Sequence, residues 1–489
     1  MMQHLDTADK VRREVAPRTA QKHKSALGQF MTPASIARFM AGMFPPSSLG
    51  TCRLLDPGAG VGALSCAFLD RWMAGDFSFE TVQATAYEVD GALQEHLKQH
   101  LGAYSTVQAD IISGDYIELA TAAPLQAAGY THAILNPPYK KISSRSAHRL
   151  ALRSVGIETV NLYSAFVALA VAQAGPGGQI VAIIPRSFCN GPYYRPFRDF
   201  IFQRAAICHM HLFASRNKAF KDDNVLQENI IIRLERGGRQ GPVTITTSTD
   251  DSFTDLTTSE HPFDRIVVPD DPERFIHVPT TTEKSAIELS PAVRYSLAEL
   301  GLKVSTGPVV DFRLKDHLRA MPEEGTVPLI YPGHLRGTGA LWPLPGLKKP
   351  NAIMRNAETE KWLYPNGFYC VVKRFSSKEE KRRIVASVID PSAFGGCTAL
   401  GFENHMNLFH ENKGGLPEPL ARGLSIFLNS TAVDENFRRF NGHTQVNATD
   451  LKLMKYPGRE ALIDLGVWAR QYSTITQEMI DVQLGKLTA

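Results

Sequence analysis

Residues 136–139 read Asn-Pro-Pro-Tyr, directly after the apolar run THAIL. Proline has no backbone N–H and a fixed φ near −65°, so two in succession make a stiff turn that presents carbonyl oxygens. The side-chain oxygen of Asn136 and the carbonyl of Pro137 can then accept both hydrogens of a planar amine, with Pro138 holding the turn. An amine gripped this way loses conjugation with its ring and turns its lone pair toward an electrophile. No strong base is required when the electrophile is a cation, because the nitrogen can shed its proton afterwards. Tyr139 offers a π-face to a heteroaromatic ring, a contact worth about 1–3 kcal/mol for a stacked base.

Two further constellations lie upstream. LDPGAGVGAL (55–64) is a strand end, a glycine-rich turn and a helix start. Asp56, Gly58, Ala59 and Gly60 form its turn, where glycines let a ligand approach the backbone at the carboxyl edge of a sheet. The spacing is not the dinucleotide GxGxxG, and alone such a turn can be purely structural. The next strand ends in YEVD, with Glu88 32 residues after Asp56. An acid at that tip suits the two hydroxyls of a ribose, although a strand-end carboxylate can equally be solvated. Together, the turn and Glu88 point to a nucleoside cofactor.

These residues need a sheet to hold them. Strand-like runs at 52–56, 81–89, 131–136, 178–185, 207–213 and 228–235 alternate with amphipathic segments such as GALSCAFLDRWM, GALQEHLKQHL, LYSAFVALAVAQA and YYRPFRDFIFQRA. That alternation predicts a mostly parallel α/β sheet covered on both faces, and the last two strands, with no helix between them, predict an antiparallel edge. From 237 to 282 Thr, Ser, Asp and Pro dominate, as in a connector with short β pieces. The final 200 or so residues lose the strand–helix rhythm and suggest a separate α+β domain.

The ordered set GQFMTP (28–33), LDPGAGVGAL, YEVD, NPPY and NLYSAFV (161–167) resembles the γ-class N6-adenine DNA methyltransferases of restriction–modification systems, the TaqI-like type II modification methylases. The match covers roughly residues 25–235. The resemblance implies a Rossmann-like, seven-stranded class I methyltransferase sheet, an α/β fold, followed by a C-terminal α+β target-recognition domain. It implies S-adenosyl-L-methionine as cofactor and double-stranded DNA as partner. Thr32 would close over the methionine end, Asp56, Gly58, Ala59 and Gly60 would line it, and Glu88 and Val89 would take the ribose region. An acid after the third strand would bind the cofactor's adenine amine. Asp110 and Asp115 are both candidates, and Asp115 is preferred because Tyr116 follows it. Phe220, five residues before Val225, matches an aromatic that packs against the extruded base beside Tyr139. Asn136 itself, in place of Ser or Asp, favours adenine over cytosine-N4 enzymes.

The resemblance divides the chain into an N-terminal extension (1–24), a catalytic domain (25–236), a connector (237–282) and a DNA-binding domain (283–489). Lys140, Lys141, Arg145, Arg149 and Arg153 follow the catalytic turn and could hold phosphates, or form a solvated face. The same two readings apply to Arg374, Lys378, Lys381, Arg382 and Arg383. A cognate restriction endonuclease is implied as a functional partner, and the enzyme is expected to work as a monomer. Alternatives are a protein glutamine methyltransferase or an RNA adenine methyltransferase, both short of such a C-terminal domain, and a non-catalytic DNA specificity subunit.

Composition agrees with a globular chain: 489 residues, 43% hydrophobic, 21% charged, net charge +4. The longest apolar run, Leu162 to Ala174, is too short for a bilayer, which takes about 20 residues. The first fifteen residues carry no apolar signal region. The six cysteines have no CxxC pairing, so reduced thiols in a cytoplasmic protein are expected and a metal site is not.

Overall fold

The computed structural model describes residues 4–15, 31–213, 228–269, 271–279, 287, 290–337, 339–376, 380–440 and 445–488. The chain forms two compact units, Met1–Thr282 and Glu283–Ala489.

The first unit is built on β1 (Thr51–Pro57), β2 (Thr81–Glu88), β3 (Val107–Ser113), β4 (Tyr130–Leu135), β5 (Ala174–Pro185), β6 (Ala205–Phe213) and β7 (Asn229–Arg236). Their order is β3-β2-β1-β4-β5-β7-β6. The first five are parallel, and β7 runs antiparallel between β5 and β6. Two more strands, β8 (Val243–Ser248) and β9 (Thr257–His261), extend the sheet to nine. They come from the stretch read as a connector. β8 pairs parallel with β6, and β9 returns antiparallel to it.

Central strands are covered on both sides, which is why they read as unbroken apolar runs. Leu54, Ile134 and Ile231 point into one core, whereas Leu55, Leu135 and Ile232 point into the other. Helices α1 (His4–Val15), α2 (Ala34–Gly42), α3 (Ala63–Met73) and α4 (Gly91–Gly102) cover the first face. The second face carries α5 (Tyr116–Thr121), α6 (Ala147–Ser154), α7 (Leu162–Gln173) and α8 (Arg195–Arg204). In α7 every residue from Tyr163 to Gln173 is buried, so its all-round apolar character belongs to a core helix. Among the described residues, no helix is long and apolar enough to cross a membrane.

β3 is absent from the runs picked out in the sequence. It is the edge strand beside β2, and all seven of its residues are at least partly exposed, so it carries no apolar run to detect.

The second unit holds a four-stranded antiparallel sheet of Lys303–Thr306, Met406–His410, Tyr369–Lys373 and Ala386–Ile389. The strands of a mixed five-stranded sheet are interleaved with these along the chain. Helices Glu418–Leu428 and Arg459–Ala469 supply much of this unit's core. They cross so closely that a Cβ on Gly423 would sit 1.7 Å from the Leu462 carbonyl oxygen.

Candidate functional site

The loop between β1 and α3 turns on Gly58, Gly60 and Gly62, with φ of +76°, +58° and +86°. Left-handed φ at three alternate positions explains the spacing that the sequence shows. The Gly58 and Ala59 amides both donate to the Tyr87 carbonyl at 2.9 Å, tying the loop to the end of β2. Glu88 locks the other side: its Oε2 accepts from the Gly60 amide at 2.8 Å and its Oε1 from the Asp90 amide at 2.8 Å. Burial raises the Glu88 carboxyl above its ordinary pKa, and these amide donors oppose that.

Asp56 lies one step deeper. Its Oδ2 accepts from the Ser65 amide at 3.2 Å and the Ser65 hydroxyl at 2.6 Å, fastening the first turn of α3. Its Oδ1 is buried without a hydrogen-bond partner among the described residues. Burial, with a smaller contribution from the Glu88 charge, pushes its pKa up to about 7. Asp56 therefore backs the cleft and does not form part of its wall.

A cleft of about 1100 Å³, its open mouth included, lies in front of this loop. Thr32, Glu88, Val89, Asp115 and Asn136 all reach its wall. Val89 is 46% exposed, an apolar side chain facing outward next to the acid. Asp115 caps α5 by accepting from the Glu118 amide at 3.1 Å, and its other oxygen lies 3.1 Å from His148 Nε2. Asp110 sits in mid-β3, paired with Thr85, and does not reach the cleft. Tyr116 touches the cleft, but its ring is locked in the core. Its hydroxyl donates to Gln173 at 2.7 Å and its ring lies 4.9 Å from Tyr87 and 5.0 Å from Phe166.

Asn136 follows β4 and opens onto the same cleft. Its amide nitrogen donates to the Thr32 hydroxyl at 3.0 Å. The half-buried Tyr139 directs its hydroxyl to both Asn136 Oδ1 and the Ile183 carbonyl, each at 3.2 Å. Burial holds that phenol far above its ordinary pKa, so it stays neutral and is no base. Tyr163 meets the Tyr139 ring edge-on, with centroids 6.2 Å apart. Pro137 is buried, and Pro138 faces the cleft. Phe220 lies outside the described residues.

The basic cluster after the turn divides in two. Lys140, Lys141 and Arg145 are exposed. Arg149 and Arg153 instead pair with Glu158, Arg153 at 2.7 Å, and Arg149 is buried. Those two pairs brace α6. In the second unit Arg383 is fully buried and bonded to Ser376, and Arg382 is bonded to Gln477, so neither belongs to an exposed basic helix. Lys378 lies outside the described residues. Sequence reasoning missed His148, noticing only the cations around it, and missed the walls given by Leu162 and Phe166 of α7.

Residues 80–220 match the Eco57I restriction-modification methylase family. The chain is 52% identical over 499 residues to the type II methyltransferase M.BsuBI of Bacillus subtilis, covering 100% of this chain and 98% of that protein. It is 43% identical to the type II methyltransferase M.PstI of Providencia stuartii, covering 90% of this chain and 89% of that one. The type II methyltransferase M.AccI of Acinetobacter calcoaceticus is 25% identical over 233 residues, covering 45% of this chain and 39% of that protein. End-to-end similarity to methyltransferases sets aside the specificity-subunit, protein-modifying and RNA-modifying alternatives. The chain belongs to the type II DNA methyltransferases of restriction–modification systems.

Proposed function

We propose that the chain methylates the N6 amine of adenine in duplex DNA, using S-adenosyl-L-methionine. The observation that carries this reading is that Asn136 and Pro138 open onto the same cleft as Glu88, Val89 and Asp115. The cleft fits the cofactor: a glycine loop for close approach, an apolar side chain exposed beside an acid, and a buried Asp56 oxygen still lacking a partner. Glu88 would hold the ribose and Asp115 the adenine amine, with Val89 against the adenine ring. Thr32 and the Gly58–Gly60 loop would enclose the methionine end, with Asp56 behind them.

When bound, S-adenosylmethionine supplies a methyl group on a sulfonium. The protein's task is to grip and aim the amine. The single Tyr139 proton can go to only one acceptor at a time; given to the Ile183 carbonyl, it lets Asn136 Oδ1 turn to the amine. Asn136 Oδ1 and the Pro137 carbonyl then each accept one amine hydrogen, and the Tyr139 ring carries the base. The extra proton on nitrogen leaves for water after the new bond forms. A base inside a duplex cannot reach Tyr139, so it must be flipped out, at a cost of a few kcal/mol. Contacts from the second unit, and Phe220 if it packs on the base, would offset that cost and choose the sequence. A monomer suffices, because Thr32, Glu88, Asp115 and Asn136 all come from one unit, and the host cytoplasm, alongside a cognate endonuclease, is its expected setting.

The test is to incubate the protein with labelled cofactor and genomic DNA free of N6-methyladenine, digest the DNA, and identify the labelled nucleoside by mass spectrometry. N6-methyldeoxyadenosine is the expected product. Label on cytosine, or on RNA or protein with none on DNA, would overturn the reading.

A further inference from the structure

Helix α2 begins two residues after Thr32, and it starts badly. Its N-cap is Pro33, which makes no side-chain capping bond, so the early amides of the helix need acceptors from elsewhere. One comes from α1, in the N-terminal extension. Asp9 Oδ1 accepts from the Ala34 amide at 3.2 Å, and the carboxylate is itself held by Arg12 at 2.7 Å and Arg13 at 2.8 Å. Asp9 is 5% exposed. Burial alone would raise its carboxyl pKa; the two arginines and the amide outweigh that and hold it below the ordinary value.

A second grip comes from the turn between β8 and β9. Ser35 donates its hydroxyl to Asp251 Oδ2 at 2.9 Å. Phe253 stacks on Phe39 of α2, with centroids 4.2 Å apart and planes 5° from parallel. Phe253 has φ of +55°, a left-handed conformation that a bulky residue adopts only at a cost. The turn is wired to keep it: Asp255 accepts from the Thr249 amide and hydroxyl, and Asp250 from the Ser252 amide and hydroxyl. His211 and Phe213 of β6 close the ring cluster at 5.4 Å and 5.9 Å from Phe253.

We propose that α1 and the β8–β9 turn form a clamp on α2, holding its first residues and Phe39 of its second turn, and that Asp9, Asp251 and Phe253 are positioning residues for the Thr32 hydroxyl against the Asn136 amide. Both gripping elements lie outside the seven strands that carry the cleft. They meet on the helix that directly follows Met31 and Thr32, two residues of the cleft wall. The inference rests on the reading of Asn136 as the acceptor of the target amine.

The experiment is a double-mutant cycle in the full chain, pairing Phe253→Ala with Thr32→Val and measuring single-turnover methylation of unmethylated genomic DNA. If Phe253 acts through Thr32, Phe253→Ala slows methylation on the order of ten-fold in the Thr32 background. It then has little further effect with Val at position 32, and Phe253→Tyr restores the rate. Equal losses in both backgrounds, or no loss in a protein whose circular dichroism is native, would overturn the clamp. If Phe253→Ala does not fold, the pair Ser35→Ala and Asp251→Ala serves: the double variant should be no slower than either single one, and additive losses would overturn the proposal. Amide hydrogen exchange over residues 34–40 reads the clamp without turnover. Faster exchange in Asp251→Ala is expected, and unchanged exchange would count against it. A wild-type protein inactive on DNA would sink the adenine reading, and faster exchange in Asp251→Ala would then leave the clamp standing.

Discussion

The amide nitrogen of Asn136 donates to the Thr32 hydroxyl at 3.0 Å, joining residues 104 apart in the chain. The amide nitrogen faces Thr32, while Oδ1 accepts from the Tyr139 hydroxyl at 3.2 Å, the position that the proposed amine would take over. Replacing Thr32 by Val removes the acceptor and lets the amide rotate. A rate loss of about ten-fold, near 1.4 kcal/mol in the barrier, is expected in single-turnover methylation, with Thr32→Ser close to wild type. Equal rates for Val and Thr would show that the bond does not orient Asn136.

Tyr139 has two separable parts. Its hydroxyl bonds to Asn136 and Ile183, and its ring is braced by Tyr163. Tyr139→Phe keeps the stacking face and should cost only a few-fold in rate. Tyr139→Ala removes a stacking contact of about 1–3 kcal/mol and should weaken capture of the flipped base. A 2-aminopurine placed at the target position would report this as reduced fluorescence enhancement on binding. Similar losses for Phe and Ala would mean that the hydroxyl, not the ring, carries the role.

What the sequence revealed divides along physical lines. Glycines 58 and 60, Glu88 and the Asn136 turn were legible because each solves a local backbone or chemical problem with few residue choices. The central strands were legible through double-sided burial. β3 was not, because an edge strand shows solvent too much of its surface. The short β pieces expected between 237 and 282 are β8 and β9, but their pairing onto the main sheet was not legible in a Thr- and Ser-rich stretch with no apolar run. His148 beside Asp115, and Asp9 beneath Ala34, are contacts between distant segments, and no local pattern announces either.

A cationic cofactor bound in front of Asp56 would couple its binding to the loss of that carboxyl's proton. Burial first, then the Glu88 charge, lifts the Asp56 pKa to about 7, well above the ordinary carboxylate range. The folded state thus keeps its proton to higher pH than the unfolded chain. Stability from this group is complete below about pH 4 and lost as pH rises through 7. A cationic cofactor would favour the carboxylate and lower that pKa. Binding near pH 7 should therefore release a proton, and affinity should rise from pH 6 to 8. Calorimetry in two buffers of different ionisation enthalpy measures the release directly, and Asp56→Asn should show none.

Asp115 and Asp110 can be told apart by the same cofactor. Only Asp115 reaches the cleft. Asp115→Ala should raise the Kd for S-adenosylmethionine on the order of ten-fold, as expected for loss of a charged hydrogen-bond partner. It should also release His148 from its contact at 3.1 Å. Asp110→Ala, on an exposed strand edge, should leave the Kd within about two-fold. The reverse pattern, read by equilibrium binding, would move the adenine site to the middle of β3.

The second unit offers a test of packing in which two glycines give opposite signs. In a helix interior, Gly→Ala ordinarily stabilises by about 1 kcal/mol through backbone entropy. Gly485 lies in helix Gln477–Thr488 with nothing within 4 Å of an added Cβ, so Gly485→Ala should show that gain. At Gly423 the same methyl would stand 1.7 Å from the Leu462 carbonyl oxygen and 2.7 Å from its carbon. Those are backbone atoms of the facing helix and cannot swing aside, so the two helices must separate. Overpacking of this kind costs about 1–3 kcal/mol or more, which outweighs the entropic gain. Urea unfolding followed by circular dichroism should put Gly485→Ala above wild type and Gly423→Ala below it. A stabilised Gly423→Ala would mean that the two helices do not cross at this distance.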